Sequence, residues 1–161
     1  MIIERICRHV ATLGPIGYLP MPGTCGSLCA VPLFYFVRQV ACSTWWFNER
    51  WFVLLFAAAA WWIINRALRT YEWHEHDPQE IVLDEVAGFC VVMVGQPWSL
   101  VTVALGFLYF RFFDIVKPLG LGSLERLPGA LGVLGDDLAA GLLAHLALSW
   151  TLGLLTWVCV H

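Results

Sequence analysis

Five carboxylates in this chain stand beside hydrocarbon-like runs: Asp84 and Glu85 in IVLDEVAG, Asp114 in RFFDIVKP, and Asp136 and Asp137 in GVLGDDLAAG. An ionised acid in such a setting is expensive unless it is paired or put to use, so the cluster is a functional-site candidate by default. Its oxygen-only donor set suits a hard cation such as Mg²⁺, which commonly shares its ligands with a phosphate. Arg111 and Lys117 flank Asp114 at spacings of three, which sets two cations and one carboxylate on one face of a helix. Such a face can engage phosphate oxygens and a metal together. Adjacent residues on a helix diverge by about 100°, so one of Asp136 and Asp137 is expected to ligate a metal directly while the other is oriented differently, to a second ion or the water.

A second group, Pro22-Gly23-Thr24-Cys25-Gly26-Ser27, precedes an apolar run. Glycines there let backbone amides turn toward an anion, Thr24 and Ser27 add hydroxyl donors, and a following helix N-terminus favours negative charge. The same residues read equally well as an ordinary helix cap. Gly88 follows Glu85 by three positions, and Ala140 and Gly141 follow Asp137 closely. Small residues so placed allow a neighbouring helix to approach the acids. His74-Glu75-His76-Asp77 lacks the i,i+4 histidine spacing of a helical zinc site and reads as a polar turn.

The elements that must position these groups are strongly apolar. Of 161 residues 60% are hydrophobic, and the mean hydropathy of +0.73 lies well above an ordinary soluble composition. Leu138 to Val160, with His145 as its strongly polar side chain, matches the ~20 residues needed to cross a hydrocarbon core. Trp51 to Ile64 and Leu28 to Val37 are shorter and fit buried, tilted or interfacial helices. Trp45, Trp46 and Trp51 before one run, with Trp61 and Trp62 near its end, fit rings at headgroup depth.

Helices are predicted at 27–41, 50–72, 81–95, 98–117 and 137–159. Breaks fall at Pro20 to Gly23, His76-Asp77-Pro78, Gln96-Pro97 and Pro118 through Gly135, and Pro32 should kink the first helix. The runs are too long and too rich in Leu and Ala for strands, and an open sheet edge cannot face lipid. The expected fold is therefore all-α, a single-domain membrane-embedded helical bundle over residues 1–161.

A formal charge of −3 supplies no basic field for nucleic acid, and six scattered cysteines read as reduced, buried thiols. Arg5 and Arg8 precede a break at Gly14-Pro15, which does not make a cleavable signal peptide. Arginines are spread over several loops, so charge along the chain assigns no sidedness. Nothing in the pattern sets an oligomeric state.

Taken in order, PGTxGSL (Pro22 to Leu28), HD…IVxDExxG (His76 to Gly88), RxxDxxKP (Arg111 to Pro118) and GxxGxxxDDxxAG (Gly129 to Gly141) resemble the phosphatidylglycerophosphatase A family over most of the chain. The resemblance implies a Mg²⁺-dependent lipid phosphatase of phosphatidylglycerol and cardiolipin biosynthesis. Such an enzyme removes the terminal phosphate of phosphatidylglycerophosphate and works as a multi-pass protein of a bacterial inner membrane, its site facing the cytoplasm. Leu83 stands where the family leads one to expect tryptophan, Leu119-Gly120 where a second proline would follow, and Ala130 in place of a glycine. None of these departures removes a carboxylate or a cation.

On this reading Asp84, Glu85, Asp114, Asp136 and Asp137 ligate metal or activate water. Arg111 and Lys117 neutralise phosphoryl oxygens and complete the catalytic set, while Pro22, Gly23, Thr24, Gly26 and Ser27 help hold the substrate. Water is the expected nucleophile, with an aspartyl-phosphate route as the alternative. No cysteine is followed by five residues and an arginine, and no DxD pair appears, so other phosphatase chemistries fit worse. The rival reading is a transporter or channel component whose intramembrane acids serve protons or cations.

Overall fold

The computed structural model describes residues 2–43, 48–71 and 78–160. They form α1 (Ile2–Ala11), α2 (Pro22–Ser43), α3 (Glu49–Ala67), α4 (Leu83–Met93), α5 (Leu100–Val116) and α6 (Ala130–Val160), with no strand among the described residues. Short 3-10 segments, Ile16–Tyr18, Leu68–Thr70 and Pro118–Arg126, join them. Trp45, Trp46, the His74 to Asp77 turn and the last residue of the helix expected at 50–72 lie outside the described residues.

The chain is an all-helical membrane bundle. Three stretches, Pro22–Cys42, Glu49–Thr70 and Ala130–Val158, are long and apolar enough to cross a bilayer. Two of them exceed the shorter apolar runs read from the sequence, because polar residues such as Arg38 and Glu49 are accommodated near the helix ends. Outward-facing Phe36, Leu55, Leu146 and Trp150 are all more than half exposed. Such an apolar belt would be a liability in water and is at home in hydrocarbon.

At the centre stands α4, eleven residues long and buried at nine of them, packed by α2, α3, α5 and α6. Phe89, Val92 and Met93 meet Phe34, Phe110 and Leu148 in one core. A second core joins Cys7 and Ala11 of α1 to Ile64 of α3, Leu83 and Val133. Lipid tails are as apolar as these side chains, so close packing rather than water exclusion holds such helices together. Between α4 and α6 the approach is glycine on glycine. A Cβ at Gly141 would lie 2.4 Å from the carbonyl oxygen of Gly88, and one at Gly88 would lie 2.7 Å from that of Asp137.

Two helix starts and one whole helix differ most from expectation. Pro22 opens α2 at a first-turn position that suits proline, so the PGTCGS segment is helical instead of a loop before a helix at 27. α6 begins at Ala130, seven residues ahead of 137, and carries Gly132 and Gly135 inside it. Gly132, which reads as a break, serves close packing here: a Cβ on it would sit 2.5 Å from the Leu127 carbonyl oxygen, whereas Gly135 has open space around it. α1 was not expected; it turns Cys7 and Ala11 inward and Ile2, Ile3, Ile6 and Val10 outward. α2 runs through Pro32 without interruption.

Folding also sorts the charges. Arg5, Arg8, Arg66, Arg69, Arg111, Lys117 and Arg126 gather at the end where α2, α4 and α6 begin, while Arg38 and Arg50 lie at the other. Arg8 anchors this arrangement by bonding Glu80 at 3.0 Å and covering the Tyr71 ring at 4.2 Å.

Candidate active site

Where α2, α4 and α6 start and α5 ends, a cavity of about 310 Å³ opens between them. α4 contributes Asp84 and Glu85, α6 contributes Asp136 and Asp137, and the end of α5 contributes Arg111, Asp114 and Lys117. Pro22, Gly23 and Thr24 of α2 close the remaining side. Ten residues separated by up to 115 positions in sequence thus share one space.

The acid pair of α4 occupies its first turn, where the helix dipole favours negative charge, and the Glu85 amide donates to Asp84 Oδ1 at 3.0 Å. The glycine contact between α4 and α6 brings Asp137 across to that pair. Asp84, Glu85 and Asp137 each offer a carboxylate oxygen, and these oxygens lie within 4.8 Å of one another. Asp84 and Asp137 are 5% and 4% exposed, so the oxygens face the cavity and not bulk solvent.

The other two acids are held by cations. Asp114 Oδ2 lies 2.7 Å from Arg111 Nη1, which is also 4.0 Å from Glu85 Oε1. Asp136 Oδ2 accepts from Lys117 Nζ at 2.5 Å, and the same ammonium bonds Glu125. Asp137 joins the close trio and Asp136 turns to Lys117, the division that helical geometry required of adjacent residues. Lys117 holds a left-handed backbone conformation (φ 46°) at the end of α5, and its amide donates to the Phe113 carbonyl at 2.9 Å. Burial alone would lower the Lys117 pKa, but hydrogen bonds to Asp136 and Glu125 outweigh it and raise it above the ordinary value. The side chain is therefore a fixed positive charge. Arg111 keeps a buried Nε without a hydrogen-bond partner among the described residues.

Two residues expected to bind substrate stand elsewhere. Gly23 meets the site so closely that a Cβ would fall 2.0 Å from Glu85 Oε1. Because the segment is helical, Gly26 instead faces Val82 and the back of Glu85, and Ser27 is fully buried. The Ser27 hydroxyl donates to the Gly23 carbonyl at 2.8 Å, one turn back along its own helix, so it stabilises the turn and does not reach the cavity. Neither Gly26 nor Ser27 lines the space. Met21, Gln79, Ile81, Ile115 and Val133 do line it and were not singled out. Met21 carried a signal in its position between Pro20 and Pro22; the others carry no chemical signature in sequence.

Five carboxylates facing two cations leave a formal excess of three negative charges in the cavity. A phosphate would be repelled by that field unless a cation entered with it. The trio fits the task. Mg²⁺ takes oxygen ligands at about 2.1 Å, so adjacent ligands lie about 3.0 Å apart and opposite ones about 4.2 Å; oxygens already within 4.8 Å of one another can be brought to that spacing by turning the carboxylates about an ion.

A family model described as Phosphatidylglycerophosphatase A matches residues 9–152, a span that contains every polar residue of the cavity. Over 148 residues the chain is 33% identical to a protein of Bacteroides thetaiotaomicron with a provisional phosphatidylinositol-3-phosphatase name, covering 85% of this chain and 89% of the relative. It is 29% identical over 145 residues to phosphatidylglycerophosphatase A of Escherichia coli, covering 84% and 80%. With phosphatidylglycerophosphatase A of Haemophilus influenzae the identity is 37% over 73 residues, 43% of this chain and 44% of the relative. No solved structure matches the chain.

Proposed function

Because the chain belongs to the phosphatidylglycerophosphatase A family, we propose that it hydrolyses the terminal phosphomonoester of phosphatidylglycerophosphate with Mg²⁺ as cofactor, leaving phosphatidylglycerol and inorganic phosphate. The observation that carries this reading is the convergence of Asp84, Glu85 and Asp137 with Arg111 and Lys117 in one cavity. A carboxylate trio for a hard cation beside two fixed positive charges is the equipment phosphoryl transfer needs, since its catalysis is mostly positioning and charge stabilisation.

Asp84, Glu85 and Asp137 are the residues that would hold Mg²⁺, which supplies positive charge to the phosphoryl oxygens when bound. Arg111 lines the cavity and would offer its guanidinium to the same oxygens, with Asp114 fixing it in place. Lys117, tethered to Asp136, adds a second positive charge. The amides at the start of α2, beside Gly23 and Thr24, face the anion from the opposite wall. A carboxylate of the cluster accepts a proton from the attacking water. The phosphorus–oxygen ester bond breaks, and the departing glycerol oxygen takes up a proton.

Two features bear on the alternatives. A path for passing cations would be obstructed by Arg111 and Lys117, so the cavity suits an anion accompanied by a metal better than ion transport. The Bacteroides relative favours one second reading, a 3-phosphorylated inositol lipid as substrate, because the same groups would recognise any lipid-borne phosphomonoester.

The collection of seven of nine cations at the site end supports a cytoplasmic orientation in a bacterial inner membrane, since cytoplasmic ends of spans are enriched in Lys and Arg. A lipid precursor made on that side would reach the site directly, as a role in phosphatidylglycerol and cardiolipin biosynthesis requires. The deciding assay is phosphate release from phosphatidylglycerophosphate and from phosphatidylinositol 3-phosphate in mixed micelles, with Mg²⁺ or EDTA, and with Asp137→Asn as control. Release from the first lipid that needs both Mg²⁺ and Asp137 is expected. Preference for the inositol lipid would replace the substrate, and no release from folded protein would overturn the phosphatase reading.

A further inference from the structure

The cavity is charged within and apolar at its rim. Met21 and Ile115 both line it, yet each is 70% exposed. Ile115 continues into Phe112 and Val116, which are exposed on α5, and Leu119 beyond them is 89% exposed. A lone exposed apolar side chain needs no explanation. These residues differ because they border a polar cavity from two elements, and because of the backbone at Met21.

Met21 holds φ 60° and Leu119 φ 59°, in the left-handed region that side-chain-bearing residues disfavour and glycine occupies freely. Pro20 and Pro22 bracket Met21 and restrict the chain on both sides. Conformations of this kind persist where the surroundings hold them, often at ligand clamps. Glycine would satisfy the backbone at position 21 with less strain. The methionine that stands there is turned outward instead of into the core, at the rim of the cavity it lines.

We propose that Met21 and Ile115 form a two-sided apolar clasp for the glycerol-proximal acyl chains of the substrate, so that the site selects phosphomonoesters carried on a diacylglycerol over water-soluble ones. The inference rests on the phosphatase reading and specifies its substrate class. The occupant follows from continuity. The α5 surface bearing Phe112, Ile115 and Val116 belongs to a bundle whose spanning helices put hydrocarbon around it, and the cavity is the polar end of that surface. With its phosphate beside Arg111, a lipid would lead its chains out between Met21 and Ile115.

The test compares Met21→Gly, Ile115→Ser and the conservative Met21→Leu with wild type. The substrates are dioleoyl phosphatidylglycerophosphate in mixed micelles and its dibutyryl analogue in solution. The expected result is a roughly tenfold fall in the long-chain to short-chain ratio of kcat/KM in the first two variants, carried by KM, the scale of one lost apolar contact. Met21→Leu restores the ratio. Met21→Gly is expected to melt no lower than wild type, because glycine accepts the left-handed backbone, so unfolding would not mimic the loss. An unchanged ratio, or equal losses on both substrates, overturns the clasp. Wild-type protein that prefers neither chain length also overturns the clasp alone, whereas wild type that releases phosphate from neither substrate overturns the phosphatase reading and the clasp with it.

Discussion

Polar groups gather at two levels of this bundle, and they are treated differently. Toward the end away from the cavity, Arg38 donates to the Gln96 carbonyl at 2.6 Å and Glu49 accepts from the Gly95 amide at 2.6 Å. The Gln96 side chain donates to Ser149 at 2.7 Å and meets His145 Nδ1 at 3.2 Å, while that histidine nitrogen also lies 3.0 Å from the Val92 carbonyl oxygen. Each group there finds its partner inside the protein, and the segment after α4 is stitched to α2, α3 and α6. In the cavity the acids outnumber the cations, and Arg111 retains a buried donor without a partner among the described residues. A closed network stabilises a fold; one with charge and donors left over is built for something that arrives from outside.

That contrast can be broken by substitution. Asp137→Asn removes one member of the close trio and should lower phosphate release roughly a thousandfold while the protein stays folded, as judged by circular dichroism in detergent. Arg111→Ala withdraws one of the two cations that line the cavity, and a fall in kcat/KM of about a hundredfold is expected. Gly141→Ala touches no charged group but drives a Cβ into the Gly88 carbonyl. Separating α4 from α6 should cost about 1–3 kcal/mol in thermal or denaturant unfolding and reduce turnover roughly tenfold, because Asp137 leaves Asp84 and Glu85. Gln96→Ala is the counterpart in the closed network: activity within about twofold of wild type and a stability loss of about 1 kcal/mol. If Gln96→Ala abolished turnover while Gly141→Ala left it intact, the division between the two regions would be wrong.

Much of this was legible in sequence, for physical reasons that differ by element. The long apolar runs marked α2, α3 and α6, since helical membrane segments declare themselves by length and composition. The acids stood out because they interrupt hydrocarbon, and Gly88 and Gly141 because small residues there imply a close neighbour. Helix ends at glycines were harder. Gly132 and Gly135 are punctuation by local propensity, yet both lie inside α6. α1 is short and mixes isoleucines with arginines, so its inward face of Cys7 and Ala11 is visible only once α3 is beside it. At the site, the residue types were readable but their partition was not. That Asp136 goes to Lys117 while Asp137 joins Asp84 and Glu85 depends on how α6 is rotated against α4. The turning of Ser27 away from the cavity likewise depends on PGTCGS being helical, where glycines and a proline suggested a loop.

The placement of Asp137 near the beginning of α6 has a consequence for the work the protein must do. From Asp137 the helix continues 23 residues to Val160, about 35 Å at the usual rise, so the rest of it is enough to traverse the hydrocarbon while the carboxylates stay near one face. Drawing a phospholipid into water would expose its tails at about 0.8 kcal/mol for every methylene. Chemistry stationed at headgroup level avoids that extraction: the fatty tails never leave their leaflet, and diffusion in two dimensions delivers one molecule and carries the next away.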